Sequence, residues 1–153
     1  MDLIKSAPIL CAGITMYSPM SYWGAAKGGK TIGIIGIGGL GTMGIKLAKV
    51  LGNQVVAIST SDKKEALARS KGADKFVVSK DPESIKKHAM SCDILLNTVA
   101  AGHDINTYMP LLNKQGVMVC IGGNPNPQTV SLIPFMYFRQ CLTGSIIGGI
   151  KET

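Results

Sequence analysis

Residues 36–41 read Gly36-Ile37-Gly38-Gly39-Leu40-Gly41, with glycine at the first, third and sixth places. An apolar run, Thr31–Ile35 (TIGII), comes immediately before them, and apolar residues at helical spacing follow. In that setting each glycine has a separate use. The first permits a tight turn, the second lets backbone approach a pyrophosphate, and the third lets helix and strand pack closely, while unpaired N–H groups at the helix start face the anion. The bland alternative is a tight, glycine-rich turn. Glycine at all three positions, with a strand before and a helix after, argues against it.

A second group of chemistry-bearing residues stands about 20 positions further on, where a dinucleotide fold that takes NAD carries an acid for the ribose hydroxyls. No acid occupies the end of that second apolar run. The chain reads Ser59-Thr60-Ser61-Asp62-Lys63-Lys64 instead. Hydroxyl and ammonium groups at a helix start suit the additional 2′-phosphate of NADP(H). Asp62, three residues before Glu65, has the spacing of a capping box and is expected to turn its carboxylate to backbone N–H groups. The bland reading here is a polar turn with two surface lysines.

Cys11 sits in an apolar stretch, residues 8–15 (PILCAGIT). On residue type alone it is most often a small buried hydrophobe. Neither His88 nor His103 lies near a cysteine at a zinc-like spacing. The four cysteines, Cys11, Cys92, Cys120 and Cys141, stand far apart with no C-x-x-C pair and no signal peptide, which implies a reduced, cytoplasmic setting. The +7 formal charge is spread along the chain without interleaved aromatics, so no nucleic-acid partner is expected. No apolar run approaches the roughly 20 residues needed to cross a bilayer, and no membrane partner is expected.

These groups need a scaffold, and 153 residues with 46% hydrophobic content fit one core. Short apolar runs recur at residues 31–35, 55–58, 76–78, 94–99, 117–121 and 142–147. Runs that are apolar throughout mark strands buried on both faces. Between the first two, Leu40, Met43, Leu47 and Leu51 recur at helical spacing, and Gly52 stands at a C-cap position. Asp62 opens and Gly72 closes a second helix, Asp81-Pro82-Glu83 opens a third, and residues 104–112 read as a fourth that Pro110 kinks or ends. The pattern predicts an α/β fold, a Rossmann doubly wound parallel six-stranded sheet with helices on both faces. Residues 1–26 fall outside the repeat and read as a connector whose helix, residues 7–20, Pro19 kinks and Trp23-Gly24 ends. Residues 27–153 form the NADP-binding domain, with Met136 and Tyr137 expected in its core in preference to lining a substrate pocket.

Several segments taken together resemble the cinnamyl alcohol dehydrogenase branch of the zinc-dependent medium-chain dehydrogenases. They are residues 7–19 (APILCAGITMYSP), GIGGLG, STSDKK, Gly72-Ala73-Asp74 and residues 143–148 (TGSIIG), which follow the family's order through nearly the whole chain. The resemblance implies that Cys11 is one ligand of a catalytic Zn2+ and that Thr15 reaches the nicotinamide end of the cofactor. It places the pyrophosphate on Gly36 to Gly41 and the 2′-phosphate on Ser59, Thr60, Ser61, Lys63 and Lys64. Thr98, Gly122 and the backbone of Ser145, Ile146 and Ile147 then line the path from adenosine to nicotinamide. Asn97 departs from the Asp that many relatives carry, and Ile146 from their Phe.

The remaining zinc ligands, the proton relay and a structural zinc lobe belong, in that family, to an N-terminal catalytic domain that these residues lack. That missing domain is an expected partner, along with a small alcohol or aldehyde substrate. A homodimer joined through residues 130–133 and 142–147 is also expected. Two competing readings share the sheet. A non-catalytic dinucleotide-sensing module would keep Cys11 in its core, and a zinc-free quinone reductase relative has no use for Cys11.

Overall fold

The computed structural model describes residues 6–152. The first five residues of the expected connector, and Thr153, lie outside the described residues. Six strands form one sheet: β1 (Thr31–Ile35), β2 (Gln54–Ser59), β3 (Lys75–Val78), β4 (Cys92–Asn97), β5 (Leu112–Cys120) and β6 (Cys141–Gly144). Their spatial order is β3-β2-β1-β4-β5-β6, and every neighbouring pair is parallel. This is the doubly wound order, in which the chain leaves β1 toward one edge and returns to build outward from β4.

Alternate residues of each strand feed two separate cores, which is why the strands read as unbroken apolar runs. On one face Ile32, Ile34, Val55, Ala57, Leu96 and Val119 pack under three helices. These are α1 (Ala12–Tyr22), which supplies Met16 and Met20, α2 (Gly39–Val50), which supplies Ile45 and Ala48, and α3 (Glu65–Ser70), which supplies Ala68. On the other face Ile35, Val56, Ile58, Leu95 and Met118 meet Tyr108, Met109 and Leu111, with Ile85 of α4 (Pro82–Lys87) and Phe135 of α5 (Ile133–Phe138).

Helix ends follow their residues in most places. Gly52 (φ 80°) and Gly72 (φ 110°) take the left-handed turn after α2 and α3, and Asp81 caps α4 by accepting from Glu83 N–H at 3.1 Å. Asp62 does not cap. The chain enters through a 3₁₀ turn, Asp62–Lys64, and neither that turn nor α3 has a side-chain cap, while Glu65 pairs with Arg69 one helical turn on.

Four further expectations change. Residues 104–112 form two 3₁₀ turns, Ile105–Thr107 and Met109–Leu111, in place of one helix, because Pro110 has no N–H to bond to an i−4 carbonyl. β5 begins five residues early, and a bulge follows its first pair. Between Cys92↔Leu112 and Ile94↔Val117 the fifth strand carries extra residues, with Gln115 at φ 61°. β6 ends at Gly144, so residues 145–147 leave the sheet. The connector helix divides at Cys11 into a 3₁₀ turn, Ala7–Leu10, and α1, which continues past Pro19 to Tyr22.

Candidate functional site

Because all six strands are parallel, the segments after β1, β2, β4, β5 and β6 gather at one edge of the sheet. β1 and β4 are neighbours whose connections leave in opposite directions, so a crevice opens between their carboxyl ends. The predicted residues Gly36 to Gly41, Ser59 to Lys64, Thr98, Gly122 and Ser145 to Ile147 all fall on this edge.

The loop after β1 is built by close approach. Gly36 turns with φ 89°, and a Cβ there would lie 2.8 Å from Val99 Cγ2. A Cβ on Gly41 would lie inside the Gly36 carbonyl oxygen, so the helix can begin this near to the strand only with glycine. Gly38 and Gly39 differ. Nothing lies within 4 Å of a Cβ on either, and both are exposed. No side chain caps α2 at Gly38, so the amides of its first turn face that open space. Residues 36–41 therefore form a closely packed rim around an open approach to backbone N–H groups.

The turn after β2 reaches the same loop. Lys64, the second lysine of the turn, donates from Nζ to the Ile37 carbonyl at 2.9 Å, while Ser59 and Ser61 are half-buried and Thr60 and Lys63 exposed. An ammonium has three donors, and one is engaged here. The exposed side chain keeps two donors for other partners. Asp62 is exposed, without a side-chain hydrogen bond to a helix N–H.

Thr98 ties β4 to the glycine loop. Its hydroxyl donates to Ile35 O at 2.8 Å and lies 3.2 Å from Gly36 O. Gly122 N–H donates to Asn97 O, and a Cβ on Gly122 would come within 2.4 Å of the Val99 carbonyl. Ser145 N–H donates to Cys120 O at 3.1 Å. Ile147 holds φ 55°, a strained setting for a β-branched residue. Ile146 is 87% exposed. Asn97 and His103, whose side chains meet at 2.9 Å, also belong to this edge. Spacing gave no signal for that pair, because the turn that joins them has no regular period.

Thr15 lies in α1 and Cys11 just before it, and α1 runs antiparallel to the strands. Trp23, just past its end, borders residues at the strands' start, including Lys30, Asp93 and Val117. Ile14 and Ser18 instead pack on Gly148, beyond β6. Cys11, at the start of that helix, thus lies toward the carboxyl edge and is exposed. Thr15 is buried and its hydroxyl donates to the Cys11 carbonyl at 2.7 Å, which fixes the backbone at the helix start. Among the described residues no three His, Cys, Asp or Glu side chains converge on a metal position. Burial pushes the Cys92 thiol up to about 11 and raises Cys120 too, partly offset there by a hydrogen bond from Asn97. Neither is a ready thiolate. Met136 and Tyr137 are 75% and 77% exposed, so they are surface residues and not core.

A family model described as zinc-binding dehydrogenase matches residues 39–153. Cinnamyl alcohol dehydrogenase 8 of Arabidopsis thaliana is 46% identical over 155 residues, covering 100% of this chain and 43% of its own length. A solved cinnamyl alcohol dehydrogenase of Sorghum bicolor superposes with a TM-score of 0.89 at 38% identity, over 95% of this chain and 42% of that one. The enzyme called CAD from Helicobacter pylori, solved in complex with NADP(H), superposes with a TM-score of 0.82 at 34% identity, over 95% and 41%. The chain therefore spans less than half the length of the relatives it matches.

Proposed function

The chain belongs to the zinc-binding dehydrogenase family, and from that premise we propose that it is the NADP(H)-binding portion of an alcohol dehydrogenase of the cinnamyl-alcohol type. Residues 1–26 act as connector and residues 27–153 as the dinucleotide domain. The whole enzyme interconverts primary alcohols and aldehydes, and the bound dinucleotide supplies or accepts the hydride.

The observation that carries the reading is the open space before Gly38 and Gly39, bounded by Lys64 on one side and Thr98 on the other. The first-turn amides of α2 take the diphosphate there. Ser59, Thr60, Ser61 and Lys63, with the remaining donors of Lys64, take the 2′-phosphate; no acid stands at the end of β2, and the exposed Asp62 is the one carboxylate in the turn. Thr98, Gly122 and residues 145–147 border the remainder of the cofactor.

Zinc stands differently. A catalytic zinc takes three protein ligands and keeps one open position, and the described residues offer one exposed thiol, Cys11. These residues do not form a zinc site by themselves. Cys11 contributes one ligand to a site that a catalytic domain elsewhere in a longer polypeptide completes. We expect no dehydrogenase turnover from the 153 residues alone. The sensor alternative keeps Cys11 in the core, and its exposure speaks against that alternative.

The free edge of β6 and the apolar residues around α5 suit a homodimer of the complete enzyme, and four free cysteines suit a cytoplasmic setting. Calorimetric titration with NADPH and NADH tests the cofactor assignment. The wild-type chain should prefer NADPH by about tenfold or more, and Ser59→Asp should reverse that order by setting a carboxylate against the 2′-phosphate. Equal affinities in the wild type would remove the phosphate argument.

A further inference from the structure

Asn97 is the last residue of β4 and is 2% exposed, and its carbonyl and side-chain amide are engaged at the crevice. Its carbonyl accepts from Ile121 N–H at 2.9 Å and Gly122 N–H at 3.0 Å. Its side-chain Oδ1 accepts from Val99 N–H at 3.2 Å, and its Nδ2 lies 2.9 Å from His103 Nε2. On the far side of the ring, His103 Nδ1 is 2.7 Å from the Ala101 carbonyl.

These contacts allow one assignment of protons. The Ala101 carbonyl can only accept, so Nδ1 carries the ring proton. Val99 N–H can only donate, so it selects Oδ1 of Asn97 and leaves the amide NH2 facing His103. Nε2 of the neutral ring then accepts from that NH2. Turning the Asn97 amide over would set NH2 against N–H and a carbonyl against a ring lone pair, two repulsions in place of two bonds. A second proton on the ring would set N–H against NH2.

What the pair holds is the Thr98–Val99 step. That step is wedged between Gly36 and Gly122, where a Cβ on either would collide with it, and Thr98 reaches across to the Ile35 carbonyl. It forms the wall opposite the glycine loop. We propose that His103 is a positioning residue for dinucleotide binding: as the neutral Nδ1–H tautomer it orients the Asn97 amide, which holds the Thr98–Val99 wall against the loop that takes the diphosphate. This rests on the dinucleotide reading given above. The other titratable groups at the pair are Tyr108, edge-on to His103 at 5.8 Å between ring centroids, Cys120, opposite Asn97 in the β4–β5 register, and Asp104, whose carboxylate accepts hydrogen bonds from Asn106.

The pair also explains how Asp could replace Asn97. A carboxylate accepts from both Val99 N–H and a ring N–H, so Asn97→Asp should convert His103 to the imidazolium and keep the wall in place.

The test combines ring-nitrogen NMR with calorimetry using NADPH as the probe. In the wild-type chain His103 should show a protonated Nδ1 and a bare Nε2 at neutral pH, whereas in Asn97→Asp both nitrogens should be protonated. His103→Leu should bind NADPH about tenfold more weakly at an unchanged stoichiometry, the order expected from one lost buried hydrogen bond. His103→Gln, which offers a carbonyl to Asn97 Nδ2, should restore most of the affinity. A purely structural histidine would lower the melting temperature of His103→Leu and leave the affinity of the folded protein alone. Wild-type affinity in His103→Leu, or a protonated Nε2 in the wild type, would overturn the proposal while leaving the dinucleotide reading intact. Should His103→Leu fail to fold, the wild-type tautomer and the His103→Gln affinity decide the matter. Failure of the wild-type chain itself to bind NADPH would remove the dinucleotide reading and the proposal together.

Discussion

Residues 31–78 and residues 92–144 each supply three parallel strands, yet they are clothed in different ways. In the first group α2 and α3 lie against the sheet, and glycine lets α2 begin in contact with the strand it follows. Ion pairs add to the seam. Among the described residues both lie in this group, Lys49–Asp74 and Glu65–Arg69. In the second group α1 covers one face, but the connecting segments supply only two 3₁₀ turns and the six-residue α5, and Leu132, Ile133, Met136 and Tyr137 stand mostly exposed. Exposed apolar residues grouped in this way mark a surface made to be covered. The contrast teaches that the connections of the first half carry helices that bury apolar residues against the sheet, whereas the connections of the second half leave an apolar surface exposed.

The strongest challenge to this contrast lies within the glycine loop. Gly41→Ala puts a methyl group into the Gly36 carbonyl and should destabilise the chain by about 3 kcal/mol or more in denaturant unfolding. Gly38→Ala meets nothing within 4 Å and should leave unfolding unchanged within about 0.5 kcal/mol, while its methyl group obstructs the diphosphate and weakens NADPH binding. Equal destabilisation by the two would break the distinction between a glycine that serves packing and one that serves the ligand.

A second pair of variants separates the two halves. Ile34→Ala, fully buried under α1 and α2, should cost about 2–5 kcal/mol. Met136→Ala should cost less than about 0.5 kcal/mol and reduce self-association at high concentration, as read by sedimentation. Comparable losses of stability would mean that α5 is packed after all.

The smallest effect tests the seam of the first half. Burial raises the Asp74 carboxyl, but the Lys49 ammonium, the Val55 N–H and Arg69 outweigh it and bring the group below its ordinary 3.8. A carboxyl held lower in the folded than in the unfolded chain contributes stability above its unfolded value and loses it as pH falls through the folded one. Asp74→Ala should therefore be less stable than the wild type by about 1 kcal/mol at pH 7, with the gap closing below about pH 4. A gap that persists at pH 2 would assign the effect to packing alone.

The sequence was easiest to read where one rule governed. Strand, glycine loop and α2 follow from apolar runs and helical spacing, because both faces of the sheet are buried and the period is regular. Asp62 misled because a capping-box spacing cannot reveal a 3₁₀ turn inserted before the helix. The early start of β5 was hidden by its bulge, which leaves Lys114 and Gln115 exposed inside a strand. Met136 and Tyr137 misled for a deeper reason. An apolar helix states that something will cover it, and its pattern is the same whether the cover is its own sheet or another surface. The Asn97–His103 contact crosses an irregular turn, where only coordinates bring the two side chains together.

The central claim is that backbone amides after β1 take a diphosphate while the turn after β2 takes a further phosphate. Titrating NADPH into the 15N-labelled chain and following each backbone amide tests it most directly. The largest shifts should fall on Gly38 to Gly41 and on Ser59 to Lys64, and the second group should move far less with NADH. Saturating NADPH that leaves the amides of Gly38 to Gly41 in place would contradict the claim.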